Sequence, residues 1–275
     1  RAPWWSGLGA SRTERWDRLG ALAAGLMLTG MLVEPWVMQA ADPHATGEAA
    51  EARDASSGAL PVADSGEIMI AGYAGAPFYY RSNLRLTRPD DTDVELKRLG
   101  WDGDALYFPI DGGVRSVQWF SFLGMMIDFL HNKAIARLGK GSHGRRITNG
   151  IIEEVEASGR IAGKPAPPRV KLTDVFERME FTHGHNVLLF TPMVQLGYVT
   201  PRIRPYFGLG GGFAIPHVEV WFPGDSNKVR TNEYQLAGPA AQLLAGIEFR
   251  AGRMSYFLEY KFAWALISGA LTGDQ

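Results

Sequence analysis

A chain of 275 residues with a formal net charge of -1 has length for one large domain or two small ones, and it lacks the basic excess that duplex nucleic acid demands of its binders. Cysteine is absent, which excludes disulfides and thiolate metal sites and leaves any metal to His, Asp or Glu. The 33 glycines and 16 prolines, with 8 Trp, 9 Tyr and 14 Phe, describe a turn-rich β protein with aromatic belts rather than a helical bundle.

Residues 19–33, LGALAAGLMLTGMLV, form the long apolar run of the chain and follow Arg12, Arg15 and Arg18. The run is shorter than the roughly 20 residues a membrane-spanning helix needs, and it suits the hydrophobic region of a signal peptide. Pro35 ends it, and VMQA before Ala41 offers a small-residue cleavage site after Ala40. Residues 1–40 therefore read as an export signal with upstream residues, a retained anchor helix being the alternative. Residues 41–64, rich in Ala, Glu, Asp, Ser and Pro and containing His44, read as a flexible linker.

From residue 65 onward the pattern changes to period two, in segments at 67–89, 94–120, 124–138, 175–196, 204–222, 233–251 and 253–266. Several exceed the ~9 to 11 residues a tilted strand needs to cross a bilayer. In the last segment Tyr256, Leu258, Tyr260, Phe262 and Trp264 share one face, opposite Ser255, Glu259 and Lys261. In the one before, Leu243, Ala245, Ile247 and Phe249 oppose Gln242, Glu248 and Arg250. Apolar residues outward and ionisable residues inward are the pattern of a transmembrane antiparallel up-and-down β-barrel; a soluble sandwich or lipocalin-like barrel would bury the apolar face instead. Such barrels have even strand numbers, so seven segments predict eight strands with the closing strand missing from a C-terminally truncated barrel domain at 65–275.

Connection lengths set direction. The joins SFLG, YVTPRI and RAGR are short, whereas those near 90, from 139 to 172 and from 223 to 232 are long or polar. Short turns lie on the periplasmic side of bacterial outer-membrane barrels, so the odd-numbered segments run outward. His131, His183, His185 and His217 then fall at the extracellular ends of three consecutive segments, with His143 in the long loop between two of them. In a regular strand His183 and His185 share a face, and all four imidazoles are expected to project outward at headgroup height, unless a bulge at Gly184 or Pro216 inverts the pattern. They read either as interfacial polar residues bonded to one another or to Glu180 and Glu219, or as ligands for Fe, Cu or Zn. GLGGG at 208–212 follows neither dinucleotide nor P-loop spacing and reads as a packing feature of the wall.

Five blocks, WDGDALYFPIDGGVRS (101–116), MIDFLHNKAIARLGKGSHGR (126–145), PPRVKLTDVFERMEFTHGHN (167–186), RPYFGLGGGFAIPHVEVWFPG (204–224) and YQLAGPAAQLLAGIEF (234–249), resemble the outer-membrane lipid A oxidases of rhizobia and similar proteobacterial proteins. The resemblance spans roughly residues 67–272. It implies a bacterial outer-membrane location, lipid A or lipopolysaccharide in the outer leaflet as partner, and oxidation of the proximal glucosamine to aminogluconate with dioxygen as co-substrate and hydrogen peroxide as product. No flavin or nicotinamide motif is visible, so a divalent redox metal, Fe or Cu, is the expected acceptor. The resemblance brings no residue-by-residue catalytic set. The histidine positions alone nominate His131, His183 and His185 as bases or ligands, with His183, His185 and His217 for a metal, while Lys140, Arg145, Arg146 and Lys164 of the long loop are placed to meet substrate phosphate or carboxylate. A non-catalytic barrel with an envelope-structural or adhesion role is the alternative.

Overall fold

The computed structural model describes residues 14–15, 19–25 and 68–271, apart from 89, 106–107, 109, 140–149, 198, 201, 225–230 and 252–253. In chain order its first strands are β1 (Glu14–Arg15), β2 (Leu19–Gly25), β3 (Ile68–Ala74), β4 (Phe78–Tyr79), β5 (Ser82–Arg88), β6 (Thr92–Leu99) and β7 (Trp101–Asp102). Then come β8 (Gly112–Phe120), β9 (Leu123–Ala136), β10 (Glu154–Ile161), β11 (Lys164–Pro165), β12 (Arg169–Lys171) and one turn of helix, α1 (Leu172–Val175). The series ends with β13 (Arg178–Gln195), β14 (Ile203–Ala214), β15 (His217–Trp221), β16 (Thr231–Tyr234), β17 (Gly238–Ala251), β18 (Met254–Ile267) and β19 (Ala270–Leu271). The protein is all-β and its ladders are antiparallel, as the period-two pattern requires.

The main sheet runs β3-β8-β9-β13-β14-β17-β18-β2-β4 in space. Its alternation is that of the sequence: on β18, Leu258 (51 %) and Tyr260 (43 %) are exposed while Glu259 and Lys261 are buried. Ile70, Val114, Ile127, Phe129, Phe190, Leu209, Phe213, Leu243 and Ile247 extend the exposed apolar face across the other strands. The opposite face carries charge, and its side chains reach across the strand order. Arg115 on β8 donates to Glu259 Oε2 on β18 at 2.7 Å, and the Tyr206 hydroxyl on β14 donates to the same oxygen at 2.8 Å. Lys261 donates to Tyr73 on β3 at 2.7 Å and pairs with Asp128 on β9. Contacts between strands so far apart in the order require the sheet to curl around its polar face. Below this layer Met69, Val117, Trp119, Met126, Met193 and Leu244 pack together, and lower still Arg204 makes a bidentate pair with Glu248 at 2.8 Å per bond.

The short connections, 121–122, 196–202 and 252–253, lie at one end of the wall strands, and the long ones, 75–111, 137–177 and 215–237, at the other. Two long connections build a second sheet, β11-β10-β6-β5, to which β12 also pairs through β10. Leu84, Leu86, Leu96 and Leu99 from this sheet form one buried cluster with Trp101, Phe176, Phe181 and Val220, so the upper end of the curled sheet is covered by an ordinary hydrophobic core.

Several sequence boundaries are corrected. The segment 67–89 is not one wall strand: β3 ends before Pro77 and β5 belongs to the second sheet. The segment 94–120 likewise divides into β6 and β8, because Gly103 and the loop to Asp111 interrupt it. The segment 204–222 breaks at Ile215–Pro216, where proline cannot donate to a ladder. Leu19–Gly25, read from sequence as part of an export signal, pairs with β18 as β2, at the position where an eighth strand was expected to be missing. The linker at 41–64, the remainder of the signal segment, His44, His143 and the loop cations Lys140, Arg145 and Arg146 lie outside the described residues. Lys164 is exposed on β11, in the second sheet.

The Arg204–Glu248 pair gives a test of the polar interior. Arg204→Leu leaves Glu248 buried beside one fewer cation and should lower stability by about 3 to 5 kcal/mol, whereas Arg204→Leu with Glu248→Leu should recover most of that loss. Denaturant unfolding of the three proteins under one set of conditions measures both changes, and equal losses in the single and double variants would contradict the pairing.

Candidate functional site

The site forms where β13 leaves the wall. Between His185 and Val194 β13 pairs regularly with β9, but the register shifts between Phe181 and His185. Gly184 occupies the shift with φ +122, a conformation side chains other than glycine's rarely accept. A Cβ there would overlap the Asn186 side chain and stand 2.6 Å from His131 Nδ1. This bulge separates the two histidines that spacing puts on one face. His185 turns inward at 3 % exposure with Val187 and Leu189, and His183 is exposed.

Before the bulge, Arg178, Met179 and Glu180 pair with Trp221, Val220 and Glu219 of β15. Pro216 frees β15 from β14, and β16 backs it, with His217 opposite Tyr234. The outcome is a cluster of His183, His217 and Glu219 whose ligand-bearing atoms lie within 4.8 Å of one another. His183 Nδ1 is 2.7 Å from Glu219 Oε1, and His217 Nδ1 is 3.6 Å from the same oxygen. Arg178 donates to the other carboxylate oxygen, Glu219 Oε2, at 3.0 Å and pairs with Glu180 at 3.2 Å, its guanidinium lying 3.8 Å over the Trp221 ring. Thus one oxygen of a buried carboxylate is fixed by Arg178 and the other faces two imidazoles. The rings of His183 and His217 stand 4.8 Å apart, His217 lies 4.6 Å from Tyr234, and the Tyr234 hydroxyl donates to the His183 carbonyl at 3.1 Å.

Of the histidines nominated from sequence, the structure brings His183 and His217 together and sets the other two apart. His131 Nδ1 lies 2.8 Å from Asn186 Oδ1, on the neighbouring rung. His185 packs against Phe181 with ring centroids 5.9 Å apart, and among the described residues neither of its ring nitrogens has a hydrogen-bond partner. The metal set expected from sequence, His183, His185 and His217, is therefore replaced in space by His183, His217 and Glu219. Arg178 was missing from the nominated site, and Glu219 was named only as a bonding partner of the imidazoles and not as a ligand. Their signal is faint in the sequence, consisting of a carboxylate two residues beyond His217 and the pair Arg178 and Glu180 on one face of a strand.

No family model, curated protein or solved structure matches the chain.

Burial pulls the His217 imidazole below its ordinary value, Glu219 opposes that shift, and His183 adds to it. A histidine with a lowered folded value binds its proton more readily when unfolded, so this contribution favours the fold at high pH and is lost as pH falls below about 6.5. Histidine-resolved NMR titration should place the His217 midpoint below 6.5. Glu219→Gln should move it lower still by removing the negative charge, and an upward move would contradict the arrangement. Gly184→Ala should cost about 1 to 3 kcal/mol in unfolding experiments and shift the His183 ring resonances by displacing the bulge. Unchanged stability and resonances would show that the bulge does not set the site.

Proposed function

We propose that the curled sheet is a closed β-barrel of the bacterial outer membrane and that the protein oxidises lipid A at its outer rim. Three features support the membrane reading. An exposed apolar face spans the wall strands, the buried ion pairs Arg115–Glu259 and Lys261–Asp128 lie on the opposite face, and short and long connections segregate to opposite ends. β4 follows β3 after three residues, Gly75 to Pro77, and pairs with β2 at the far end of the strand order, so joining β3 to β4 makes an eight-strand wall with β2 as the eighth strand.

The observation that carries the enzymatic reading is the convergence of His183 and His217 on one oxygen of Glu219 at the long-connection end. Two imidazoles and a carboxylate are the donor set of non-haem iron oxygenases, and they also accept copper. The donors fit such an ion, since His217 Nδ1 is buried without a hydrogen-bond partner among the described residues. His183, His217 and Glu219 would hold it, and when bound it would supply the one-electron exchange that lets dioxygen react with a closed-shell sugar. Arg178 orients Glu219 by holding Oε2. His183, the exposed member, is where the glucosamine would arrive. There the C1–H and the anomeric O–H hydrogens pass with two electrons to dioxygen, giving a lactone and hydrogen peroxide, and water opens the lactone to aminogluconate.

Purified protein given lipid A that lacks its 1-phosphate should release peroxide and add one oxygen to the lipid mass, in proportion to added Fe(II) or Cu(II). His183→Ala and Glu219→Gln should each lower the rate by 100-fold or more, in line with losses of about 10- to 100-fold for orienting partners and more for ligands. His185→Ala should retain it. No mass gain by the wild-type protein refutes the oxidase, and full activity in His183→Ala refutes this site.

A further inference from the structure

A second feature at the same end of the wall lies on different strands. Between β4, the end of β6 and the upper part of β18 there is an open groove of about 700 Å³. Its walls combine three guanidinium groups, Arg81, Arg98 and Arg137, with four aromatic residues, Phe78, Tyr79, Tyr80 and Phe262. Two of the rings are well exposed, Phe78 at 63 % and Tyr80 at 44 %. Phe78 and Tyr80 pack edge to face at 5.6 Å, and Tyr80 meets Phe262 at 6.3 Å.

Charge and strain both point into the groove. Arg81 pairs with Glu153, and Arg137 pairs with Asp102 at 3.0 Å. Among the described residues no carboxylate pairs with Arg98, so three cations face two carboxylates and one positive charge remains. Arg98 also has φ +57, a left-handed conformation that is unfavourable for a residue with a Cβ. That kink accompanies the register shift between β5 and β6, and the Arg98 backbone is held on both sides. Its N–H donates to Asn83 Oδ1 at 3.0 Å and its carbonyl accepts from Arg81 at 2.7 Å. The second sheet thus keeps a strained, uncompensated arginine beside an aromatic wall.

The groove is continuous with the apolar outer face. Phe262 shares its side of β18 with Leu258 and Tyr260, which are exposed below it. An occupant would find hydrocarbon-compatible surface at one end of the groove and guanidinium groups at the other. We infer that this groove is a binding site for an anionic lipid, with its phosphate headgroup on Arg98 and its neighbours and its acyl chain along Phe262 and the outer face of β18. Guanidinium suits this role because its planar donors match phosphate oxygens in pairs, and amphipathic rings such as Tyr80 sit at headgroup level. The inference rests on the membrane reading of the outer face but not on the histidine cluster, which belongs to β13 and β15.

The test places the full chain in nanodiscs of phosphatidylcholine doped with phosphatidic acid and reads retained lipid by native mass spectrometry. Arms with phosphatidylglycerol and with inorganic phosphate accompany it. The wild-type protein should retain phosphatidic acid in preference to phosphatidylcholine by 10-fold or more, and inorganic phosphate should not displace it. Arg98→Ala should remove the preference, and so should Tyr80→Ala, which leaves every arginine in place. Neither substitution touches a buried side chain, and flotation of each protein with vesicles reports insertion separately. A wild-type protein that does not float overturns the membrane reading and this site together. A protein that floats but shows no preference, or keeps it in Arg98→Ala, overturns the groove alone. Equal retention of phosphatidylglycerol would support a site for anionic lipid in general, and displacement by free phosphate would overturn the lipid as its occupant.

Discussion

The structure depends on pairing every charge that the curled sheet encloses. Arg115, Asp128, Arg204, Glu248, Glu259 and Lys261 are each almost completely buried, and an unpaired ion in such a place costs several kcal/mol. Arg204 and Glu248 satisfy one another across neighbouring strands, whereas Arg115 is met by Glu259 and Lys261 by Asp128 on distant ones, with the Tyr73 and Tyr206 hydroxyls donating to the same two carboxylates. The curl of the sheet and the pairing are therefore one constraint. A flattened sheet would separate β8 and β9 from β18 and break both the Arg115–Glu259 and the Lys261–Asp128 pairs.

Placing the polar residues inside displaces the apolar ones outward along every wall strand, since side chains alternate across a strand. A conventional core then has to form elsewhere. It does so at the long-connection end, where the second sheet and α1 bury Leu84, Leu96, Leu172, Phe176 and their neighbours against the end of the wall. That core anchors the elements that carry the histidine cluster. β15 and β16 hold His217, Glu219 and Tyr234, and the first residues of β13 bring Arg178 and His183 to them.

How far the sequence could be read follows from which signals are periodic. The wall strands β9, β17 and β18 were legible because alternation runs through most of the 14 residues of each. The division between wall and second sheet was not, because β5 and β6 alternate just as the wall does, and only the partner strand distinguishes them. The end of the wall at which His131, His183, His185 and His217 gather was legible from the connection lengths. Their mutual placement was not, because a single positive φ at Gly184 reverses the parity that spacing implies. Glu219 was legible as a bonding partner for the imidazoles but not as a member of the ligand set: β15 carries on along β13 beyond Pro216 in the direction of β14, and the shifted register at the Gly184 bulge is what brings its carboxylate to His183.

The two features at this end are built to be independent. The histidine cluster belongs to β13, β15 and β16, whereas the arginine groove belongs to β4, β6 and β18, and β14 and β17 lie between β13 and β18 in the strand order. Their charge logic also differs. At the cluster a buried carboxylate is shared among Arg178 and two imidazoles, so the local balance is already met and an added ion must compete with hydrogen bonds that exist without it. At the groove the balance is unmet, and a cation held in a strained backbone lacks its partner. The cluster is thus suited to exchanging protons and ligands, and the groove to holding an anion in place.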